Sequence, residues 1–338
     1  MSFTLNSIIN IGTYQFKGVH EVKINKSIYH MNETCLLKLP TTFRLRKYDK
    51  LSTVSVNTAL EFQEGDKVKV TLGYNGNYKT EFEGFVRRLD FSTPCEIECE
   101  GYVYQLRKKK MTPKTFVNVD FKEIIKYIIH GTDIVLSPAM KNESLMVNKF
   151  AIMTDTGAEV LQQLNKHLTG ILNITFHGKE LFMGASYLDV NGANKGQILE
   201  TVKYKMGWNV IKDNGLRLRI PPVDQVNIKI TGVKTDGTKV KANSNNRSEN
   251  IKQIKTHSVT DQSSLDYLAK LHQHKETYTG YEGKITGFGI PFCEHGWRLE
   301  LTDPKYLERD GVYLTDSVEI IFGLKGFRRI VGLGIKIS

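Results

Sequence analysis

The stretch PFCEHGW contains the residue types that are closest to a metal-binding motif. Cys293 and His295 flank Glu294, and thiolate, imidazole and carboxylate groups all ligate metals. Two ligands do not make a site, however, and no partner pair lies at a suitable spacing elsewhere in the sequence. We therefore predict no metal-ligating residues.

Two further pairs of possible metal ligands are excluded as shared sites by their geometry. His272 and His274 lie in a helical pattern about 200° apart around the helix, so they face opposite sides. Cys95 and Cys99 lie in CEIECEGYVY, whose alternation is typical of a strand. At ~3.3 Å per residue their sulfurs are roughly 13 Å apart, too far for a disulfide or a shared metal. We expect buried, reduced thiols, as in a reducing cytoplasm.

Carboxylate pairs are the next candidates, because a glycosidase needs two acids across a sugar-sized cleft. Glu98 with Glu100 is one such pair, and Asp303, Glu308 and Asp310 form another group. In CEIECEGY, though, the glutamates are the regular outward face of a strand, which favours solvation. The other three acids lie in a turn-rich loop. We predict no catalytic residues and hence no enzyme.

Nucleotide and cofactor motifs are missing from the sequence. There is no GxxxxGK[ST], HExxH, GxSxG or EF-hand loop. The segment VNGANKGQ lacks the spacing and the strand–helix context of a phosphate loop. The pairs Gly287/Gly289 and Gly332/Gly334 lie in β-rich segments, where glycine more often marks a bulge or bend. We predict no cofactor.

The net positive charge would permit a nucleic-acid-binding function. The 338 residues include 47 basic and 36 acidic ones, a net charge of +11. The basic residues are spread out, and the only tight run is Arg107–Lys110, typical of a solvated strand end or a contact to an acidic partner. The N-terminus has no signal-peptide pattern, and no apolar run approaches the ~20 residues that span a bilayer. We expect no membrane insertion.

The elements that position these residues are mainly strands. Residues 1–112 read as nearly all β, with a strong hairpin signal at Asn75-Gly76 between alternating runs. A strand over Cys95–Tyr104 follows. Strands at this spacing indicate a small antiparallel barrel or sandwich.

Residues 113–200 read as a small α/β piece with two helices. Asp120 caps the first, whose stripe is Ile124, Ile125, Ile128 and Ile129, and Gly131 ends it. Thr156 and Glu159 form a capping box for the second, which buries Val160, Leu161, Leu164 and Leu168 and ends at Gly170. A hairpin around His177-Gly178 and the turn-rich segment 189–197 complete the piece.

Residues 201–338 return to β. A second hairpin signal lies at Asp236-Gly237, a polar loop at 244–250, and one helix over 263–280 interrupts the strands. Phe82-Glu-Gly-Phe-Val in the first region is echoed by Tyr281-Glu-Gly-Lys-Ile in this one. The order β, α/β, β together with this echo favours two related barrels.

Two long stretches carry a resemblance to a known family. IECEGYVYQLRKKK with FVNVDFKEIIKYII resembles the first-barrel exit and first helix of phage tail hub proteins. Gly289-Ile-Pro291 through Gly296, Leu301–Leu314 and Gly326–Gly334 resemble the C-terminal part of the same group. Leu307 stands where a Pro is expected, and Leu324-Lys325 where a Gly is common. The group is the baseplate hub of contractile-tailed phages (late-control D, Mu-like and T4-like) and the base of type VI secretion spikes.

The resemblance implies an α+β, mainly β fold with two tail-tube-like antiparallel β-barrels, 1–112 and 201–338, around an α/β domain, 113–200. It also implies a homotrimer whose pseudo-sixfold ring joins the tail tube protein to the central spike protein within the baseplate. Other baseplate proteins would be neighbours, and DNA would pass only in transit through the channel. The protein would lie in the virion tail, and in the host bacterial cytoplasm during assembly.

Two other functions stay open at this point. One is a tail-associated cell-wall hydrolase, which would need a separate catalytic domain. The other is a basic nucleic-acid-binding β-barrel protein, which the net charge alone would permit. The sequence does not specify which residues form an interface.

Overall fold

The computed structural model describes residues 4–47, 50–142, 144–153, 155–185, 200–219, 226–244 and 248–337. The turn-rich segment 189–197 and part of the polar loop 244–250 lie outside these ranges.

Strands dominate the described residues. In the first third they are β1 (Leu5–Ile11), β2 (Tyr14–Phe16), β3 (Glu21–Ser27), β4 (His30–Leu39), β5 (Thr42–Lys47), β6 (Lys50–Asn57), β7 (Lys67–Tyr74), β8 (Asn77–Asp90) and β9 (Cys95–Glu100). The middle part contains β10 (Lys114–Asp120), β11 (Val135–Leu136), β12 (Met146–Ile152), β13 (Asn173–His177) and β14 (Glu180–Gly184). The last part contains β15 (Thr201–Lys205), β16 (Val210–Arg219), β17 (Asn227–Val233), β18 (Lys239–Asn243), β19 (Ile251–Thr256), β20 (Gly280–Phe288), β21 (Arg298–Thr302), β22 (Gly311–Gly323) and β23 (Gly326–Lys336).

The helices are fewer. They are α1 (Thr58–Glu61), α2 (Val103–Lys108), α3 (Phe121–Ile129), α4 (Gly157–His167) and α5 (Gln262–Thr277), with short 3-10 turns at Pro138–Asn142 and Leu307–Arg309. The predicted mainly β fold is confirmed.

Strands from both ends of the chain form one continuous sheet. Its order is β16-β20-β23-β22-β3-β4-β9-β8-β7-β1-β2, with β21 on β22 and β15 on β21. The two halves meet where β22 pairs antiparallel with β3, from Ser317 opposite Ser27 to Gly323 opposite Glu21. Hydrogen bonding among the described strands closes no barrel, so the two separate barrels remain a proposal.

All three predicted hairpins are present. Asn75 and Gly76 have φ of 51° and 83°, the positive values that a type I′ turn needs, and they connect β7 to β8. At Asp236-Gly237 the aspartate side chain accepts a hydrogen bond from the Thr238 amide at 2.8 Å, between β17 and β18. The third hairpin turns at Gly178 and Lys179, one residue later than predicted.

The helix caps also match the sequence pattern. Asp120 accepts a bond from the Lys122 amide at the start of α3, and Thr156 and Glu159 form the predicted capping box of α4. The stripe residues of both helices are buried. The helix predicted over 263–280 is wrong at its C-terminal end: α5 stops at Thr277, because Gly280 already pairs with Ile335 in the sheet.

The strand predicted over Cys95–Tyr104 is also too long. It ends at Glu100, and the next residues form α2 after the Gly101 amide bonds to the Glu33 carbonyl at 2.9 Å. The first two residues of the basic run Arg107–Lys110 therefore lie at the end of a helix rather than at the end of a strand.

Three members of this basic run bind within the chain. Arg107 pairs with the buried Glu100, and Lys108 lies 2.6 Å from Glu64. Lys109 donates to the carbonyls of Ile128 and His130 at the end of α3, where a cation is favoured.

Two apolar cores underlie this arrangement. One lies inside the large sheet and combines side chains of the first and last parts of the chain. The other is built from α3, α4 and the strands that pack around them. It also includes Ile228 and Ile230 of β17 and Leu265 and Leu268 of α5. The division at residues 112 and 200 stays a prediction.

Candidate functional site

A buried ion pair connects the two halves of the large sheet. Arg329 on β23 and Glu81 on β8 are 0% and 1% exposed, and Nη2 of the arginine lies 2.6 Å from Oε1 of the glutamate. The arginine also donates to the carbonyls of Gly289 and Cys293. Burial raises the pKa of Glu81, and the guanidinium opposes that rise.

A second buried pair lies beside it. The Lys26 ammonium lies 2.8 Å and 3.1 Å from the two oxygens of Glu294 and 3.9 Å from Oε1 of Glu33. Burial opposes the charge on both partners, but the ammonium still holds the pKa of Glu294 well below its usual value. Burial raises the pKa of Glu33. No local sequence pattern predicts this network, since its members come from distant segments.

Two histidines complete this group, which we term the junction cluster (Lys26, Glu33, His177, Glu294 and His295). The rings of His177 and His295 stack with centroids 4.6 Å apart. Burial and the neighbouring His295 lower the pKa of His177 to about 3, so its ring is neutral at pH 7.

The buried His295 makes no hydrogen bond with either ring nitrogen among the described residues. Its Nδ1 is 3.5 Å from Glu294 Oε2, and its Nε2 is 3.9 Å from Glu33 Oε1. Ligand atoms of His177, Glu294 and His295 all lie within 4.8 Å of one another.

The Cys293-Glu294-His295 triplet of PFCEHGW is apparent in the sequence, but His177, which joins Glu294 and His295 in the structure, is not. The only signal at His177 was its position at the turn of a hairpin. The third member of the triplet, Cys293, lies apart from the cluster: its sulfur is 3.7 Å from Thr315 Oγ1, and burial raises the pKa of its thiol to about 12.

The junction cluster borders a cavity of about 380 Å³. Its polar lining includes Lys26, Glu33, Glu81, His177 and Glu294, with Trp297 at one side. The cavity is therefore charged, and it lies where the hairpin of β13 and β14, which we term the insert hairpin, meets the large sheet.

An apolar groove forms the other notable concave surface, with a volume of about 420 Å³. Tyr74 lines this groove. Its hydroxyl donates a hydrogen bond to the Phe327 carbonyl at 3.0 Å and accepts one from the Gly289 amide at 3.4 Å. Trp208 is 80% exposed at its edge. The lining residues come from both halves of the sheet: Leu5, Tyr74, Trp208, Phe288, Ile290 and Phe327.

The structure places the histidine pair on α5 and the cysteine pair on β9. His272 is buried on α5 and contacts Thr169 Oγ1 at 2.9 Å. Cys95 and Cys99 are buried, free thiols on one strand face, and Cys99 lies opposite Cys35 on β4.

Two of the candidate acids are buried. Glu100 is 2% exposed and paired with Arg107, so it is not the solvated strand residue that was predicted. Asp303, in the turn-rich loop, is 2% exposed: it accepts bonds from the Lys305 and Tyr306 amides and pairs with Arg309 at 3.1 Å. The expected turn role of Asp303 and Asp310 holds, because Asp310 accepts a bond from the Asp303 amide.

The two segments of the sequence echo lie in strands of the large sheet, β8 and β20. Phe82 and Tyr281 are both buried in the large sheet. The glycine two residues later faces a carbonyl in each case: a Cβ on Gly84 would lie 2.2 Å from Glu100 O, and one on Gly283 2.6 Å from Gly215 O. Glycine is therefore required at both, because the neighbouring backbone comes too close for a side chain.

Comparisons with known proteins identify this architecture. No family model matches the chain, and no curated protein matches it. A 43 kDa tail protein of prophage MuSo2 from Shewanella oneidensis is similar in structure, with a TM-score of 0.65 at 14% identity over 98% of both chains. A tail protein from Neisseria meningitidis has a TM-score of 0.64 at 11% identity, again over 98% of both chains. The chain has the phage tail-protein fold.

The tail-protein fold extends to secretion machinery. A component of the E. coli type VI secretion system, described as structurally similar to the T4 bacteriophage tail proteins gp27 and gp5, matches with a TM-score of 0.57 at 9% identity. The match covers 98% of this chain and 77% of that one. The resemblance noted in the sequence is thereby confirmed for the fold. No described helix is long and apolar enough to cross a membrane.

Proposed function

We propose that the chain is a structural baseplate hub of a contractile phage tail or of an injection system derived from one, and that it carries out no catalysis. The observation that carries this proposal is the structural match to two tail proteins, which covers 98% of each chain.

The edges of the large sheet support the proposal that subunits assemble into a ring. In the described residues β16 pairs only with β20, and β2 only with β1, so both present unpaired backbone groups. An adjacent subunit that pairs with such an edge satisfies those groups. We infer a homotrimer in which each chain supplies two related β halves, giving pseudo-sixfold symmetry. The matching glycines Gly84 and Gly283 support two related halves.

The apolar groove is our candidate contact surface for other tail components. Its exposed Trp208 has the character of an interface anchor, since Trp, Tyr and Arg are enriched among the residues that dominate such contacts, and the exposed Ile290 adds apolar surface beside it. In the proposed assembly the ring joins the tail tube protein to the central spike protein, beside other baseplate proteins. DNA passes the central channel only in transit. The protein belongs to the virion baseplate and, during assembly, to the host bacterial cytoplasm.

Oligomeric state is the direct test. Light scattering across a concentration series is expected to give a trimer, and negative-stain images are expected to contain rings with a central hole. A strict monomer at the highest concentration, with no rings in the images and no ring on co-expression with the spike protein, would contradict the proposal.

Two assays separate this function from the alternatives. Peptidoglycan turnover that one Asp or Glu substitution abolishes would instead support a cell-wall hydrolase. DNA binding with a steep salt dependence would support a nucleic-acid-binding protein. We expect neither, and the internal pairing of Arg107, Lys108 and Lys109 argues against a dedicated phosphate-binding run.

A further inference from the structure

We propose that the open face of the β18-β17-β19 sheet binds an acidic surface of another tail protein. Four lysines lie on this face, which we term the lysine face: Lys229, Lys239, Lys241 and Lys255. The identity of the partner rests on the proposed structural role in a tail, which supplies neighbouring proteins for the chain to contact.

The strand register brings these lysines together. On the other face of the sheet, Ile230 lies opposite Ala242 in the core against which α5 packs. Side chains alternate between the two faces of a strand, so the odd-numbered positions of all three strands point away from α5. Thr231 on the central strand has Lys241 opposite it on one side and Lys255 on the other.

The lysine face is compact. Neighbouring strands lie about 4.8 Å apart and each residue adds about 3.3 Å along a strand, so the four α-carbons fall within roughly 10 Å by 13 Å. Like charges held this close repel one another, and a surface of negative charge relieves that repulsion.

The four lysines have no acidic partner within the described part of the chain, since no described carboxylate forms an ion pair with any of them. Lys252 differs, because it lies on the α5 side of β19 and pairs with Glu276 at 2.6 Å. Lysines on edge strands also hinder unwanted strand pairing. That role does not account for Lys229, which lies half-buried on the central strand.

The composition of this face suits a protein surface better than a nucleic acid. Its outward positions hold no arginine and no aromatic side chain, the groups that read bases or stack on them. Instead, the hydrogen-bonding Thr231, Asn243 and Gln253 lie among the lysines, and the exposed Ile251 adds apolar surface at one edge. Such mixed groups are typical of protein–protein contacts, where complementary charge sets partner choice.

A second copy of this chain is a less complementary partner than an acidic protein. Its net charge is +11, and like charges brought face to face disfavour association. The partner that fits the lysine face is therefore a different protein, with Asp and Glu side chains grouped on its surface.

The first test measures binding of labelled poly-L-glutamate to the full chain by fluorescence anisotropy, in a series of salt concentrations. Lys241→Glu with Lys255→Glu reverses two exposed charges of the lysine face. We expect this double variant to bind the acidic polymer at least about tenfold more weakly at low salt, because repulsion replaces attraction. Salt should weaken binding by the unmodified chain.

Lys17→Glu with Lys270→Glu is the matched control, because it changes the net charge equally at two exposed lysines outside this face. The control should keep most of the affinity for poly-L-glutamate. Equal losses in the two double variants would overturn the proposal. Tighter binding of a short DNA duplex, abolished by the lysine-face variant, would overturn it in favour of a nucleic acid.

The second test is carbodiimide cross-linking of tails purified from the producing host, which couples an ammonium group to a carboxylate in direct contact. Lys241 and Lys255 should couple to Asp or Glu side chains of a different protein. Cross-links only to another copy of this chain, or none from these lysines, would overturn the assignment. Light scattering separates the two proposals: a trimer whose lysine face binds nothing refutes the lysine face alone, whereas a strict monomer counts against the hub.

Discussion

Arg329 Nη2 and Glu81 Oε1 lie 2.6 Å apart inside the protein, although the two residues are 248 positions apart in the chain. The pair connects β23 to β8 across the two halves of the large sheet. Because both side chains are fully buried, neither charge can be hydrated if its partner is removed.

Removing one member of this pair should strongly destabilise the protein. We expect Glu81→Met or Arg329→Met to lower the free energy of unfolding by about 3–5 kcal/mol, since each leaves an uncompensated buried charge. Urea unfolding measures the loss. The double substitution should cost much less than the sum of the single ones, and additive losses would contradict a direct coupling between the two charges.

The two echo glycines should be equally intolerant of a side chain. Gly84→Ala and Gly283→Ala each place a Cβ within 2.6 Å of a backbone carbonyl oxygen, which the sheet cannot relieve by rotating a side chain. We expect losses of at least about 2–3 kcal/mol in thermal or urea unfolding. Gly18→Ala is the matched control, because nothing lies within 4 Å of its Cβ position. Equal stability of all three variants would refute the close approach.

Asp316 should make stability depend on pH. Burial raises the pKa of this carboxyl to about 7, against the Tyr29 hydroxyl bond that lowers it. The folded state therefore keeps a proton that the unfolded state releases above pH ~4. Its contribution is complete below pH ~4, declines as pH rises toward 7 and is lost above, by at most about 4 kcal/mol.

The measurement is the difference in unfolding free energy between the unmodified chain and Asp316→Asn across pH 4 to 8. Asparagine does not titrate, so the difference cancels the other ionisable groups. The stability of the unmodified chain relative to the variant should fall as pH rises. A difference that is flat across this range would show that Asp316 keeps an ordinary pKa.

Assembly should depend on the apolar groove. Trp208 is 80% exposed at its edge, and replacing it with Glu places a charge in the proposed contact. We expect Trp208→Glu to weaken association by at least about 2 kcal/mol, roughly thirtyfold in Kd, measured by light scattering or by capture of the spike protein. Phe91→Glu is the control, since Phe91 is 73% exposed away from the groove lining. If both variants assemble normally, the groove is not a contact surface.

Local features of the fold could be predicted from the sequence. The turn at Asn75-Gly76, the Asp120 cap and the capping box of Thr156 and Glu159 each depend on a few adjacent residues, so their patterns determine them. The error at the end of α5 arose where a long-range partner decided the outcome. Gly280 pairs with Ile335 in the sheet, and no local sequence pattern predicts that pairing.

The buried charges could not be predicted for the same reason. Alternation placed Glu100 on a solvated face, but Arg107 from the following helix pairs with it and allows its burial. His177 joins Glu294 and His295 only because the insert hairpin packs against the large sheet. A charged or aromatic residue in a strand gives no local sign that its partner lies more than a hundred residues away.

The pairing of β3 with β22 has a consequence for synthesis of the chain. Ser27 is synthesised long before Ser317, the residue opposite it. One edge of β3 therefore stays without its native neighbour until β22 has been made. Contacts this distant in sequence form slowly, and an open strand edge is prone to aggregation. The nascent protein thus needs protection while the residues between these strands are translated, and a chain truncated before β22 would keep that edge exposed.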